Sequence, residues 1–104
     1  MSPTQRTLKH LRDQGWTAVV VASWNAFSKT RRDVWTADIL AYRDGNVLLV
    51  NATDATSVSK RLAKAQASPE AQGWCGGELR RCGFAVMGWK KGVRGPDALV
   101  WREL

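Results

Sequence analysis

The dipeptide Asp44-Gly45 constrains this chain more than any other feature. Both residue types tolerate the positive φ of a tight two-residue turn, and apolar, β-prone residues run away from it on either side. The pattern predicts a hairpin with strands over about residues 34–43 and 46–52. Side chains two apart on a strand share a face. Asn51 and Thr53 therefore point the same way, pairing brings Asp38 near them, and Asp54 points to the opposite face.

The remaining elements fall around that hairpin. Ser2-Pro3-Thr4-Gln5 opens a helix: Ser2 caps, Pro3 suits the first helical position, and Gln5 completes a capping box. Gly15 ends this helix and lets Trp16 pack back over its last turn. Leu8, Leu11 and Gly15 share one face, and Arg6, Lys9 and Asp13 another. β-branched residues dominate positions 17–22, and both faces are apolar, which predicts a buried central strand. Residues 23–32 are polar and basic and read as a loop with two apolar anchors, Trp24 and Phe27. Residues 57–67 read as a helix with Val58, Leu62 and Ala65 inside. Ser68-Pro69 breaks it. Residues 70–82 read as a second helical piece weakened by Gly73, Gly76 and Gly77, followed by a strand over 84–89, a basic glycine turn over 90–96 and a short strand over 98–101. The order is α-β-β-β-α-β plus a short C-terminal strand. It predicts one α/β domain over residues 1–104, with a mixed central β-sheet flanked by helices.

An acid on the first strand of a hairpin, a polar pair two apart on the second, and a helix after it resemble the PD-(D/E)XK nuclease superfamily, the restriction-endonuclease-like and Holliday-junction-resolvase-like proteins. The element order resembles that core as well. The resemblance implies a restriction-endonuclease-like fold and a small DNA-binding domain that would cleave branched or nicked DNA with Mg²⁺ or Mn²⁺, as a magnesium-dependent endodeoxyribonuclease of the kind carried by phages and mobile elements. It implies Asp38 as metal ligand, the backbone carbonyl of Ala52 as a further ligand, and Asn51 and Thr53 in the places of the family's Glu or Gln and its Lys. Asn51 offers only a neutral oxygen, and Thr53 carries no positive charge to offset that of a developing phosphorane. The alternative is therefore a catalytically inactive nucleic-acid-binding or phage interaction protein on the same scaffold. Asp33 is the second candidate acid. It lies five residues before Asp38, on the opposite face of an ideal strand, so it joins the site only through a bulge or loop; otherwise it pairs with a nearby Arg. Asp38 likewise has a second reading, as a strand-edge carboxylate hydrogen-bonded to backbone. A homodimer would supply a second active site for two-strand cleavage.

Charge points to the partner. Sixteen Lys and Arg against nine Asp and Glu give +7 in 104 residues, an excess that favours nucleic acid, DNA above all. The cations form three clusters: Lys29, Arg31 and Arg32; Lys60, Arg61 and Lys64; Lys90, Lys91 and Arg94. They are expected to line a groove around Asp38 and hold phosphates, although Lys60, Arg61 and Lys64 also fit an ordinary solvated helix face. A hydrophobic share of 44% excludes a disordered chain. Cys75 and Cys82 lack the spacing and partners of a zinc site and read as free thiols, with a single bridge as the alternative. Met1-Ser2-Pro3 begins no signal peptide and residues 19–22 are too short to span a bilayer, so a cytoplasmic protein away from membranes is expected. Trp16, Trp35 and Trp89 read as core. Trp24 and Trp74 are open between core packing, base stacking and a protein interface. His10 reads as a surface residue.

Overall fold

Asp44 and Gly45 both take positive φ, 51° and 82°, so the chain reverses in two residues and Arg43 pairs directly with Asn46. The computed structural model describes residues 1–25, 30–32, 37–76 and 82–104. In chain order the elements are α1 (Pro3–Asp13), β1 (Thr17–Val20), β2 (Ser23–Asn25), β3 (Thr30–Arg32), β4 (Ile39–Arg43), β5 (Asn46–Asp54), α2 (Val58–Gln66), α3 (Pro69–Cys75), β6 (Cys82–Trp89) and β7 (Leu99–Glu103). Short 3₁₀ turns precede α2 and β7. β1, β4, β5, β6 and β7 form one sheet in that order. β5 and β6 run parallel, and the other pairs are antiparallel. This is the mixed α/β sheet flanked by helices that the element order predicts.

The alternation of side chains sorts the core into two layers. Ile39, Ala41, Val50 and Met87 pack with Leu11 of α1 and Ala18 on one face. Leu49, Phe84 and Val86 pack with Val58 and Ala65 of α2 and Ala71 of α3 on the other. Fully buried side chains such as Leu11, Val50 and Phe84 each contribute about 1.5–3 kcal/mol relative to exposure. The capping box forms as expected: Ser2 Oγ accepts the Gln5 N–H and Gln5 Oε1 accepts the Ser2 N–H. Ser68 caps α3 with a single bond, its Oγ accepting the Ala71 N–H, and Pro69 stands in the first turn.

Gly88 sets how closely α2 approaches the sheet. A Cβ there would overlap Val58 Cγ2 and lie 2.9 Å from both Ala55 Cα and Asp54 O. A glycine inside a strand often marks such an approach of another backbone.

Several expectations need correction. β1 is an edge strand, not a central one: among the described residues it pairs only with β4, and Val19 and Val20 are each 49% exposed. A short apolar run does not itself distinguish the two positions, and here Ala18 alone faces inward. Residues 23–32 include a small antiparallel ladder, β2 with β3, because backbone groups that leave the main sheet need partners and find them in each other. The second helical piece ends at Cys75 with Gly76 as its cap, and β6 already begins at Cys82. β5 runs two residues further than expected, through Asp54.

Candidate functional site

Asp38 directly precedes β4 and is 2% exposed. Its backbone ties three strands together. Its N–H donates to Val50 O (2.8 Å), and its carbonyl accepts the N–H groups of Val21 (2.8 Å) and Ala22 (3.3 Å). Its side chain joins the same seam, with Oδ2 accepting the Ala52 N–H at 2.8 Å. The carboxylate therefore satisfies a ladder donor in place of a backbone carbonyl.

The regular β4–β5 register ends at the Ile39–Val50 pair; Asp38 also gives its N–H to Val50 O, and its carboxylate reaches the N–H of Ala52, between Asn51 and Thr53. Asn51 pairs with Val86 and Thr53 with Gly88 across the parallel β5–β6 ladder. Alternation from Leu49 turns Asn51 and Thr53 toward α2 and α3, and both are buried, at 1% and 6% exposed. The structure thus brings Asp38, Asn51 and Thr53 to adjoining strands, beneath the helices. Asp54 points away, as alternation requires. Its carboxylate accepts both the N–H and the hydroxyl of Thr56, capping the 3₁₀ turn ahead of α2. Those bonds, the hydroxyl's first, lower its pKa below 3.8.

The donor chemistry of this cluster does not fit Mg²⁺ or Mn²⁺. Such ions favour several carboxylate oxygens and retain waters in an octahedral shell. Here one carboxylate already accepts a backbone N–H, and an amide and a hydroxyl are closed off from solvent. Among the described residues no group of three or more His, Cys, Asp or Glu could hold a metal. Asp33, the second candidate acid, lies outside the described residues.

Of the basic clusters, Lys29 lies outside the described residues, and Arg31 and Arg32 are placed by backbone alone, on β3. The other two stand on opposite faces of the sheet. Lys60, Arg61 and Lys64 lie on α2. Lys90, Lys91 and Arg94 belong to the turn after β6, which is fastened to α1. The two described clusters therefore do not line one groove, a correction to the expectation of a shared channel around Asp38.

That second cluster sits in an arrangement the sequence reading missed. Arg6 of α1 donates from Nη1 to Lys90 O (3.1 Å) and from Nη2 to Val93 O (2.8 Å). Its guanidinium also lies over the Trp89 ring, 4.7 Å from the centroid. His10 meets the same ring edge-on at 5.9 Å. The indole N–H donates to Thr7 Oγ1 (2.8 Å), whose hydroxyl donates to Pro3 O (2.8 Å). The recurrence of Arg6, Lys9 and His10 at helical spacing was a usable signal: such positions share one face. Among the described residues the one ion pair is Lys9–Asp13. Lys60, Arg61, Lys64, Lys90, Lys91 and Arg94 meet no carboxylate there.

Trp35 lies outside the described residues, and Trp24 is placed by backbone alone; Trp74 and the two cysteines are structural. Trp74 packs against the α2/α3 core layer and donates from Nε1 to Gly83 O (2.8 Å), so core packing is its observed role. Cys75 and Cys82 are free thiols, and burial pushes the Cys75 pKa up, away from a reactive thiolate. No described helix is long and apolar enough to cross a membrane. The chain matches no family model, no curated protein and no solved structure.

Proposed function

We propose that this chain is a nucleic-acid-binding domain on a nuclease-like scaffold, with DNA as the partner. The observation that carries this reading is the charge: +7 overall, with exposed cations that meet no carboxylate among the described residues. Cations left unneutralised on a small domain attract polyanions and release counterions when they bind phosphate. In this reading Asp38, Asn51 and Thr53 are a buried clasp in the sheet and do not cleave.

Metal-dependent cleavage of branched or nicked DNA is the second reading, favoured by the hydrogen bond that holds the Asp38 carboxylate against β5 at Ala52, between Asn51 and Thr53. It needs another acid, for which Asp33 is the candidate, and water access to the cluster. A homodimer would serve that reading best.

One experiment addresses both. Labelled linear and four-way-branched DNA are titrated with the protein over a salt series in EDTA, then incubated with Mg²⁺ or Mn²⁺. Binding that falls steeply with salt, with no product in any metal, is the expected result. Salt-independent or absent binding would remove the first reading. Products that appear only with metal would replace it with the second.

A further inference from the structure

We infer that the groove between α1 and the turn after β6 is where the nucleic acid seats, and that it holds the phosphodiester backbone without reading bases; this rests on the nucleic-acid-binding reading above. Arg6, Lys9 and His10 line one wall, Lys91 and Arg94 the other, and Trp89 the floor. The only acid in the lining is Asp13, already paired with Lys9 at 2.8 Å. Arg6, Lys91 and Arg94 are left as positive charges with no carboxylate beside them among the described residues.

The groove is also held in shape. Arg6 clamps two carbonyls of the turn, at Lys90 and Val93, so those oxygens face a guanidinium and not an incoming phosphate. Gly92 and Gly95 take φ of 73° and 78°, conformations that other residues rarely adopt. They let the turn fold tightly enough to present Lys91 and Arg94 across from α1. An arginine that spends its donors on backbone keeps its charge, so Arg6 adds to the field of the groove while positioning the opposite wall.

The choice of backbone over bases follows from the floor. Base stacking needs an open aromatic face. Trp89 is 7% exposed, one face is covered by Arg6, and its N–H is given to Thr7. What the groove offers a strand is charge, and charge meets phosphates alike whatever the sequence. α2 presents a comparable number of cations but on a convex helix surface, and no groove among the described residues is lined by them.

The test compares two variants that lose the same charge. Lys91→Ala/Arg94→Ala removes two cations from the groove, and Lys60→Ala/Lys64→Ala removes two from α2. All four side chains are exposed, and thermal unfolding checks that both variants fold. Affinity for two labelled duplexes of unrelated sequence is measured across a salt series. We expect the groove variant to bind on the order of tenfold more weakly near 0.1 M salt and to lose about two from the salt slope, equally for both duplexes. The α2 variant should change far less. Equal losses in the two variants, or a larger loss from α2, would overturn the groove while leaving DNA binding intact. A loss confined to one duplex would overturn the backbone-only mode. Failure of the unaltered protein to bind either duplex would overturn the nucleic-acid reading itself.

Discussion

The two faces of the sheet treat polar side chains in opposite ways. On the α1 face the inner layer is almost wholly apolar, and the cations stand at the rim, where Arg6, Lys91 and Arg94 have no acidic partner among the described residues. On the α2/α3 face polar groups go inside: Asn51 and Thr53 are buried under the helices, and Asp38 beside them gives an oxygen to the Ala52 N–H. A buried polar group is costly unless it is hydrogen-bonded. Once bonded into the backbone ladder it has a structural task, and reassigning it to a metal or a phosphate would strand its partner. At the rim Arg6 is bonded to the carbonyls of Lys90 and Val93, while Lys91 and Arg94 carry no such bond among the described residues. The residues that most resemble a catalytic motif are thus buried in the fold, and the cations walled into a groove lie on the other face.

The largest expected effect tests how tightly the α2/α3 face is closed. Gly88→Ala would place a methyl group into Val58 and against backbone at Ala55 and Asp54. Backbone cannot swing aside, so overpacking of about 1–3 kcal/mol is expected, and Gly88→Val should fail to fold. Thermal unfolding of both variants measures this. An unperturbed alanine variant would mean that α2 can lift from the sheet. The Asp38 cluster could then reach water, and the contrast between the faces would weaken in favour of cleavage.

Asp38→Ala comes next. It leaves the Ala52 N–H without its side-chain acceptor at a buried seam, which costs about 1–3 kcal/mol. Asp38→Asn keeps an oxygen in place and should cost less. Urea denaturation of the two variants ranks them. Full stability in Asp38→Ala would show that the carboxylate is not a clasp and return it to the list of candidate ligands.

Where sequence alone sufficed, the signals were local. Asp44-Gly45 required positive φ at two adjacent residues, and Ser2 with Gln5 formed the capping box that their spacing implies. The pairing of Asp38 with the Asn51–Thr53 strand followed from turn length and strand alternation. What escaped was set by contacts distant in sequence. The place of β1 at the edge depends on which strands flank β5, and the 17–22 run holds no trace of that. Arg6 reaches a turn 84 residues away, and Trp89 reaches Thr7, so no pattern within α1 could show the second wall of the groove. Burial was equally hidden: an acid on a strand reads the same whether it faces water or the N–H of Ala52.

The smallest effect separates the two carboxylates that cap backbone donors, Asp38 in the seam and Asp54 near the surface. Hydrogen bonds from Thr56 hold the folded pKa of Asp54 below its ordinary 3.8. A depressed carboxylate pKa means the unfolded chain binds the proton more readily, so its contribution to stability is complete above about pH 3.8 and is lost as the pH falls through the lower, folded value. Solvent screens the charge, which keeps the effect small. Asp54→Asn retains an acceptor oxygen and removes only the charge. Melting temperatures of the two proteins should therefore differ slightly near neutral pH and converge as the solution is taken well below the ordinary carboxylate range. A gap that stays constant to acid pH would show that the lost contribution is not the ionised carboxylate but the geometry of the turn into α2.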